Sequence, residues 1–314
     1  MSMTSAAKDR PLIIGVGELL WDLLPGGKQV GGAAANFAYH AQALGAEALV
    51  VSRVGQDALG REILDRLRSF GLRTDGITTD LAYPTGTVSV ALDTDGKPTF
   101  EIYEDVAWDF IEPSKAILDE ASQADVICFG SLAQRNPAAR ASIRAMLKAT
   151  PPAALCIFDI NLRQHFWSRE LIVESLDLAD VLKLNDEELP IVAQAIGLAG
   201  SESSQLRQLA ARFELKAVAL TKGANGSSLL VGGELVSRPG SKLIVADTVG
   251  AGDSYTAALA LGLLAGHEPN QIVECAHRVA DFVCTQPGAM PLMPSQMREA
   301  MKRFHPGQKP VLTP

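Results

Sequence analysis

Cysteine is scarce in this 314-residue chain and nowhere paired: Cys128, Cys156, Cys275 and Cys284 stand singly in apolar stretches. With no Cys-x-x-Cys and no Cys/His pairing, a disulfide framework and a structural zinc site are excluded, and buried reduced thiols are expected. Basic charge is in deficit too. Lys and Arg total 28 against 36 Asp and Glu, a formal net charge of −8. That balance argues against nucleic acid or an anionic membrane as partner, since either demands a basic face. No segment reaches the roughly 18 uninterrupted apolar residues of a membrane span, and the first residues lack an apolar signal region. A cytoplasmic protein is expected. The chain has no Gly-x-x-x-x-Gly-Lys-[Ser/Thr], which excludes a Walker-type nucleotide loop, and no arrangement of Ser, Cys or His for covalent catalysis. Gly15-Val-Gly17 hints at a dinucleotide loop, but Leu20 stands where the third glycine belongs and no helical pattern follows.

What is present is an ordinary globular composition, 47% hydrophobic and 20% charged, carrying two glycine-rich turns that open helices. The first to weigh is Asp247-Thr-Val-Gly-Ala-Gly-Asp253, after the apolar run Leu243 to Ala246 and before an apolar helix reaching about Leu264. Gly250 and Gly252 let the backbone turn tightly, and the free N–H groups of Ala251, Gly252 and Asp253 then form an anion site at the positive end of a helix dipole. Asp253 would repel a phosphate it had to bind. Its position makes chemical sense as a general base acting on the group that attacks the phosphate, hence phosphoryl transfer. The bland alternative is a turn whose Asp caps the helix. A second such site, Gly31-Gly32-Ala-Ala-Ala-Asn36, precedes a small-residue helix from Ala33 to Leu44.

These two stretches resemble the paired signatures of the PfkB (ribokinase-like) carbohydrate kinases. Between them, Asp159-Ile-Asn-Leu-Arg163, Asn185-Asp-Glu-Glu188 and Thr221-Lys-Gly-Ala-Asn-Gly226 match further family motifs in the family's order. Gly17 to Pro25, with Glu18, Trp21 and Asp22, and Asn36 to His40 look most similar to bacterial fructokinases. The resemblance covers nearly the whole chain. It implies a single ribokinase-like kinase domain over residues 1–314, ATP and Mg²⁺ as cofactors, a small sugar as substrate, and a lid that closes over it and builds a homodimer.

The hydrophobic pattern points to the same class of fold. Apolar runs at Leu12 to Val16, Ala48 to Val54, Val126 to Phe129, Leu155 to Ile160, Val181 to Leu184 and Ala217 to Leu220 read as strands covered on both faces. Helical patterns at Gly60 to Phe70, Ala138 to Lys148, Arg169 to Leu178 and Glu187 to Ile196 lie between them, so a doubly wound, mostly parallel α/β sheet follows. Thr85 to Tyr103 departs from that rhythm as a hairpin around Gly96. With Leu20 to Val30 it would make a small sheet projecting from the strand ends, and the resemblance implies that strands within about 19–31 and 85–108 form the lid. A second hairpin, 226–231 with 234–238, turns at Gly232-Gly233. Ser201 to Ser204 reads as a longer loop, and residues 305–314 as a loosely held tail after a helix over 297–304.

Each remaining candidate has a chemical and a structural reading. Asp22 and Asn36, beside Gly31-Gly32, suit vicinal hydroxyls, and the resemblance assigns them to the sugar; otherwise they are a turn residue and an ordinary helix residue. Arg163 follows a strand at the edge where α/β sheets bind ligands, and suits a phosphate; the resemblance adds a phosphorylated or acidic substrate, and otherwise it pairs with a carboxylate such as Glu187. Asn185-x-x-Glu188 is a capping-box pattern. The resemblance adds that Asn185 serves the nucleotide phosphates and that Glu188 organises Mg²⁺ through water. Thr221, Lys222, Gly223 and Gly226 would face ATP, with Lys222 alternatively a solvated turn residue. Asp247 and the Gln286-Pro-Gly288 loop match a K⁺ site of relatives. Two departures from the family pattern stand out: Ala34 replaces a common Pro, and Ala276-His277-Arg278 lies where relatives place an Asn beside adenine. A non-catalytic sensor on the same fold, and kinases for ribose, 2-keto-3-deoxygluconate or a nucleoside, are the alternative functions; lid and pocket side chains at Trp21, Tyr103, Asp105, Trp108 and Gln134 are expected to set which sugar binds.

Overall fold

A computed structural model of the protein describes residues 10–24, 26–92 and 98–297. Its main sheet has nine strands in the order β13-β12-β11-β10-β9-β8-β1-β4-β5. The parallel centre is built from β1 (Leu12–Val16), β4 (Glu47–Gly55), β8 (Val126–Phe129), β9 (Leu155–Asp159), β10 (Val181–Asn185) and β11 (Ala217–Thr221), with the short β5 (Ile77–Asp80) beyond β4. The apolar runs end up buried on both faces because helices cover both sides, which separates two hydrophobic cores, one around Phe129, Phe158 and Trp108 and one around Phe37, Leu259 and Ile272. β12 (Ser227–Val231) and β13 (Glu234–Arg238) add an antiparallel hairpin whose two-residue loop, Gly232 and Gly233, takes φ of 56° and 85°. Two consecutive positive φ values make the tight primed turn that matches strand twist.

A second, four-stranded sheet runs β3-β2-β6-β7, from β2 (Leu20–Leu24), β3 (Gly27–Gly31), β6 (Gly86–Leu92) and β7 (Pro98–Ile102). This is the expected lid. β3 runs directly into Gly32 and the helix α1 (Ala33–Ala43), so the first glycine-rich turn is the joint between lid and core. Helix α8 (Ala251–Leu264) is buried from Ser254 to Gly262 and packs between α1 and α9 (Pro269–Cys284). A helix apolar all round is held on every side, which fixes the turn at its N-terminus.

The other helices are α2 (Ala58–Ser69), α3 (Lys115–Ala121), α4 (Pro137–Ala149), α5 (Arg169–Leu176), α6 (Glu188–Ile196) and α7 (Glu202–Arg212). One expectation fails. Ser201 to Ser204 is no long loop: the Ser201 hydroxyl accepts from Ser204 N–H and caps α7, so the polar patch is a helix start. The apolar run Leu243 to Ala246 forms no strand; Ile244 is 93% exposed and Val245 55% exposed. The tip of the 85–103 hairpin, Pro25, the expected helix end after residue 297 and the tail at 305–314 lie outside the described residues.

Candidate active site

Parallel strands place all their carboxyl ends on one edge, and here that edge collects Glu18 after β1, Asn161 and Arg163 after β9, Asn185 at the end of β10 and Thr221 at the end of β11. The first and last glycine-rich turns meet above it. Asn36 Nδ2, on α1, donates to Asp253 Oδ2, in the first turn of α8, at 2.7 Å across 217 residues of sequence. The Asn36 Oδ1 is buried and unpartnered among the described residues, a polar atom that a sugar hydroxyl would satisfy.

Just before Asp253 the backbone turns tightly into α8. Gly250 takes φ 77°, and a Cβ there would lie 2.6 Å from the Ala289 carbonyl oxygen, so only glycine closes this turn without strain. Ala251 N–H reaches back to Thr248 O at 3.3 Å, whereas the N–H groups of Gly252 and Asp253 meet no acceptor among the described residues. Those two donors, with the dipole behind them, fit the phosphates of a nucleotide. The Asp253 carboxyl, half-buried, is pushed up to about 7 chiefly by burial, then by repulsion from Asp159; the Asn36 amide and the Lys183 ammonium pull it back, and Glu18 adds further repulsion. A carboxylate poised near neutrality is matched to taking a proton from an alcohol.

On the sugar side, a Cβ on Gly31 would strike the Asp22 carboxylate and one on Gly32 the Glu18 carbonyl, so both glycines are imposed by close packing at the lid joint. Glu18 Oε1 accepts from Ala33 N–H at 3.1 Å and does the capping that Gly32 cannot. Asp22, half-buried, sits at about 6, raised first by burial and then lowered by Arg163, with Asp247 and Glu18 raising it further. Arg163 itself is exposed, makes no ion pair with Glu187, and acts electrostatically on both Asp22 and Glu18.

The nucleotide side is partly committed to its own structure. Asn185 Oδ1 accepts from Glu187 and Glu188 N–H, while the Glu188 carboxylate accepts from Asn185 N–H at 2.8 Å and Leu162 N–H at 2.9 Å. This is the reciprocal capping box. Among the described residues no three His, Cys, Asp or Glu side chains come together as a metal cluster. Glu188, buried and with both oxygens engaged, therefore fits a hydrated Mg²⁺ carried by nucleotide phosphates better than a directly ligated ion. Lys222 Nζ is bound to Glu202 at 3.0 Å and Ser228 at 3.1 Å. At Gly226 the close approach is made by the chain's own Arg238 to Gly240 backbone, whereas Gly223, φ 49°, opens on free space. The Thr221 hydroxyl lies 3.4 Å from Leu184 O. Asp247 accepts from Val249 and Gly288 N–H, joining the two loops expected at a monovalent cation. His277 is buried and bonded to the Ser227 hydroxyl at 2.8 Å.

Residues 25–296 match the model of the pfkB family carbohydrate kinases. The chain belongs to that family. Among its relatives, the fructokinase of Klebsiella pneumoniae is 30% identical over 299 residues, covering 89% of this chain and 95% of its own. An uncharacterized sugar kinase from Pyrococcus horikoshii has a crystal structure that superposes with TM-score 0.78 at 28% identity, over 92% of this chain and 99% of its own; it has also been crystallised with ATP. Fructokinase from Vibrio cholerae, crystallised with fructose, ADP and calcium, superposes with TM-score 0.76 at 26% identity over 94% of this chain and 98% of its own. The doubly wound sheet with its lid is thus the ribokinase-like fold of PfkB carbohydrate kinases.

Several residues that shape this PfkB site escaped the sequence reading. Arg135 makes a bidentate pair with Asp109 at 2.7 and 2.8 Å, donates to Tyr103 O at 2.6 Å and stacks on Trp108 and Phe166. It ties lid to core. Trp21, Trp108 and Gln134, read as selectors of the sugar, are 4%, 0% and 1% exposed and are absorbed in packing, Trp21 by donating to Leu59 O. Asp159 and Lys183 form a buried ion pair at 3.0 Å beneath the anion turn. A lysine inside the apolar strand Val181 to Leu184 was the available signal.

Proposed function

We propose that this PfkB protein is an ATP- and Mg²⁺-dependent kinase that transfers the γ-phosphoryl group to a primary hydroxyl of fructose. The carrying observation is the Asn36–Asp253 hydrogen bond, which sets a candidate base and a sugar-facing amide side by side next to an open anion turn. In this reading Asp253 accepts the hydroxyl proton while the open N–H groups of Gly252 and Asp253, presented by the turn through Gly250 and Ala251, stabilise charge on the phosphoryl group. Asp22, Gly31, Gly32, Asn36 and Arg163 hold the sugar. Thr221, Lys222, Gly223, Gly226 and Asn185 border the nucleotide, Glu188 steadies Mg²⁺ through water, and Asp247 contributes to a K⁺ site beside the turn. Mg²⁺, when bound, neutralises phosphate charge; positioning and proton transfer belong to the protein. The lid excludes water, without which the phosphoryl group would be lost to hydrolysis. Its sheet also offers the surface for a homodimer.

Support for fructose comes from the relatives: the Klebsiella and Vibrio proteins are fructokinases, the latter crystallised with fructose and ADP, and a Vibrio variant with potassium. One observation favours a second reading. Arg163 is an exposed cation with no ion-pair partner among the described residues, beside Asp22, and would suit an acidic sugar such as 2-keto-3-deoxygluconate. ADP release with ATP, Mg²⁺ and K⁺ across fructose, ribose, glucose, 2-keto-3-deoxygluconate and adenosine decides between them. The highest kcat/KM is expected with fructose; a higher value with the acid would transfer the assignment to it, and tight binding without turnover on any sugar would favour a sensor.

A further inference from the structure

Lys183 is a charged residue in an otherwise apolar strand, where an apolar pair replacing it together with its partner Asp159 would serve the fold as well. It is the third residue of β10, 7% exposed, and the register partner of Asp159 on β9. Its ammonium donates to Asp159 Oδ1 at 3.0 Å. The other carboxylate oxygen, Oδ2, accepts from the Thr256 hydroxyl at 2.7 Å, and that hydroxyl lies 3.0 Å from the Gly252 carbonyl. Buried ion pairs contribute little net stability, since a well-packed apolar pair of similar volume serves as well or better. Stability therefore does not account for the pair.

Its position does. A Cβ built on Gly252 would come 3.0 Å from Lys183 Nζ, so the ammonium occupies the space directly beneath the bare face of the anion turn. Asp159, Glu188 and Asp253 all act on it electrostatically. These carboxylates, with Glu18, surround a place where a polyanionic nucleotide is to be received, and Lys183 is the buried cation among them. A fixed positive charge in a low-dielectric site is worth far more than one in water and needs no reorganisation during reaction.

We propose that Lys183 is a positioning residue for phosphoryl transfer: paired with Asp159 and packed under Gly252, it fixes the anion turn and balances the carboxylates so that phosphate meets the turn's N–H groups. The Thr256 hydroxyl transmits the placement from Asp159 to the first turn of α8. Gly252 is glycine for two reasons, one facing the phosphate and one facing the lysine. The proposal rests on Asp253 being the base for a sugar hydroxyl.

The test compares wild type, Lys183→Met and the double variant Asp159→Asn/Lys183→Met, using the best sugar of the panel. For Lys183→Met the expected result is a fall in kcat of ~100-fold or more, the size of a lost oxyanion donor, with the sugar KM within about threefold. The groups facing Asp253 are Asp159, Lys183, Glu18 and the Asn36 amide; without Lys183 the acidic limb of the pH profile moves upward from about 7. A merely structural lysine would leave that limb in place. If the single variant fails to fold, the double variant, which removes both charges, decides: recovered stability with kcat still at least ~30-fold low supports the proposal, and wild-type kcat overturns it. A wild-type profile with no ionisation near 7 would instead count against the Asp253 base, a separate failure that leaves the kcat comparison intact.

Discussion

Replacing Asp253 with asparagine should slow turnover severely and make the protein more stable, and the two effects come from the same burial. The substituted amide keeps the shape of the side chain and an oxygen to accept from Asn36, so the contact at 2.7 Å survives. What disappears is the base, and positioned general bases contribute about 10²- to 10⁴-fold, or ~3–5 kcal/mol of barrier. The stability effect follows from linkage. The folded-state value of about 7 stands above the ordinary 3.8, so the native protein binds more protons than the unfolded chain between those pH values, and stability falls as pH rises through that window. At 1.36 kcal/mol for each pH step, the full cost above pH 7 is on the order of 4 kcal/mol as an upper bound. An uncharged amide escapes it. Thermal or urea unfolding should therefore find Asp253→Asn more stable than wild type at pH 8 and equal to it near pH 4, while ADP release with fructose falls by two to four orders of magnitude. Wild-type turnover refutes the base. A variant less stable than wild type at pH 8 refutes the burial argument.

Three further perturbations bear on the neighbouring groups. Asn36→Ala removes the amide that holds Asp253 down, so the acidic limb of kcat/KM should shift above 7 and the sugar KM should rise at least several-fold; an unchanged pH profile would contradict the link. Asp22 sits at about 6, and if its ionised form accepts sugar hydroxyls, sugar KM should fall as pH rises from 5 to 7 in wild type and stay flat in Asp22→Asn, measured by initial rates with saturating ATP. Arg135→Ala leaves Asp109 buried and unpaired, which costs about 3–5 kcal/mol and frees the lid at Tyr103; urea midpoints should drop, and sugar KM should rise more than kcat falls.

Much of the architecture was legible because fully covered parallel strands must be continuously apolar, as Leu12 to Val16 and Val126 to Phe129 are. The pairing of the two glycine-rich turns was legible as chemistry, but their meeting through Asn36 and Asp253 depends on α1 and α8 packing together, which local pattern does not carry. The exposure of the apolar run Leu243 to Ala246 is not visible in its hydrophobicity. Ser201 gives no sequence sign of its capping role, because a polar residue at a helix cap and one in a loop look alike. The burial of Trp21, Trp108 and Gln134 follows from how the lid joins the core, which local sequence does not carry. Arg135 could not be singled out, because its partners Asp109 and Tyr103 lie in a distant, irregular segment.

The central claim is that a sugar hydroxyl reacts between Asp253 and the Gly250–Asp253 turn, and a crystal structure of the ternary complex with fructose and a non-hydrolysable ATP analogue tests it most directly. A primary hydroxyl is expected within about 2.6–3.2 Å of the Asp253 carboxylate, another hydroxyl on Asn36, and the terminal phosphate over the N–H groups of Gly252 and Asp253. Fructose bound away from Asp253, or a phosphate held elsewhere than on this turn, would contradict it.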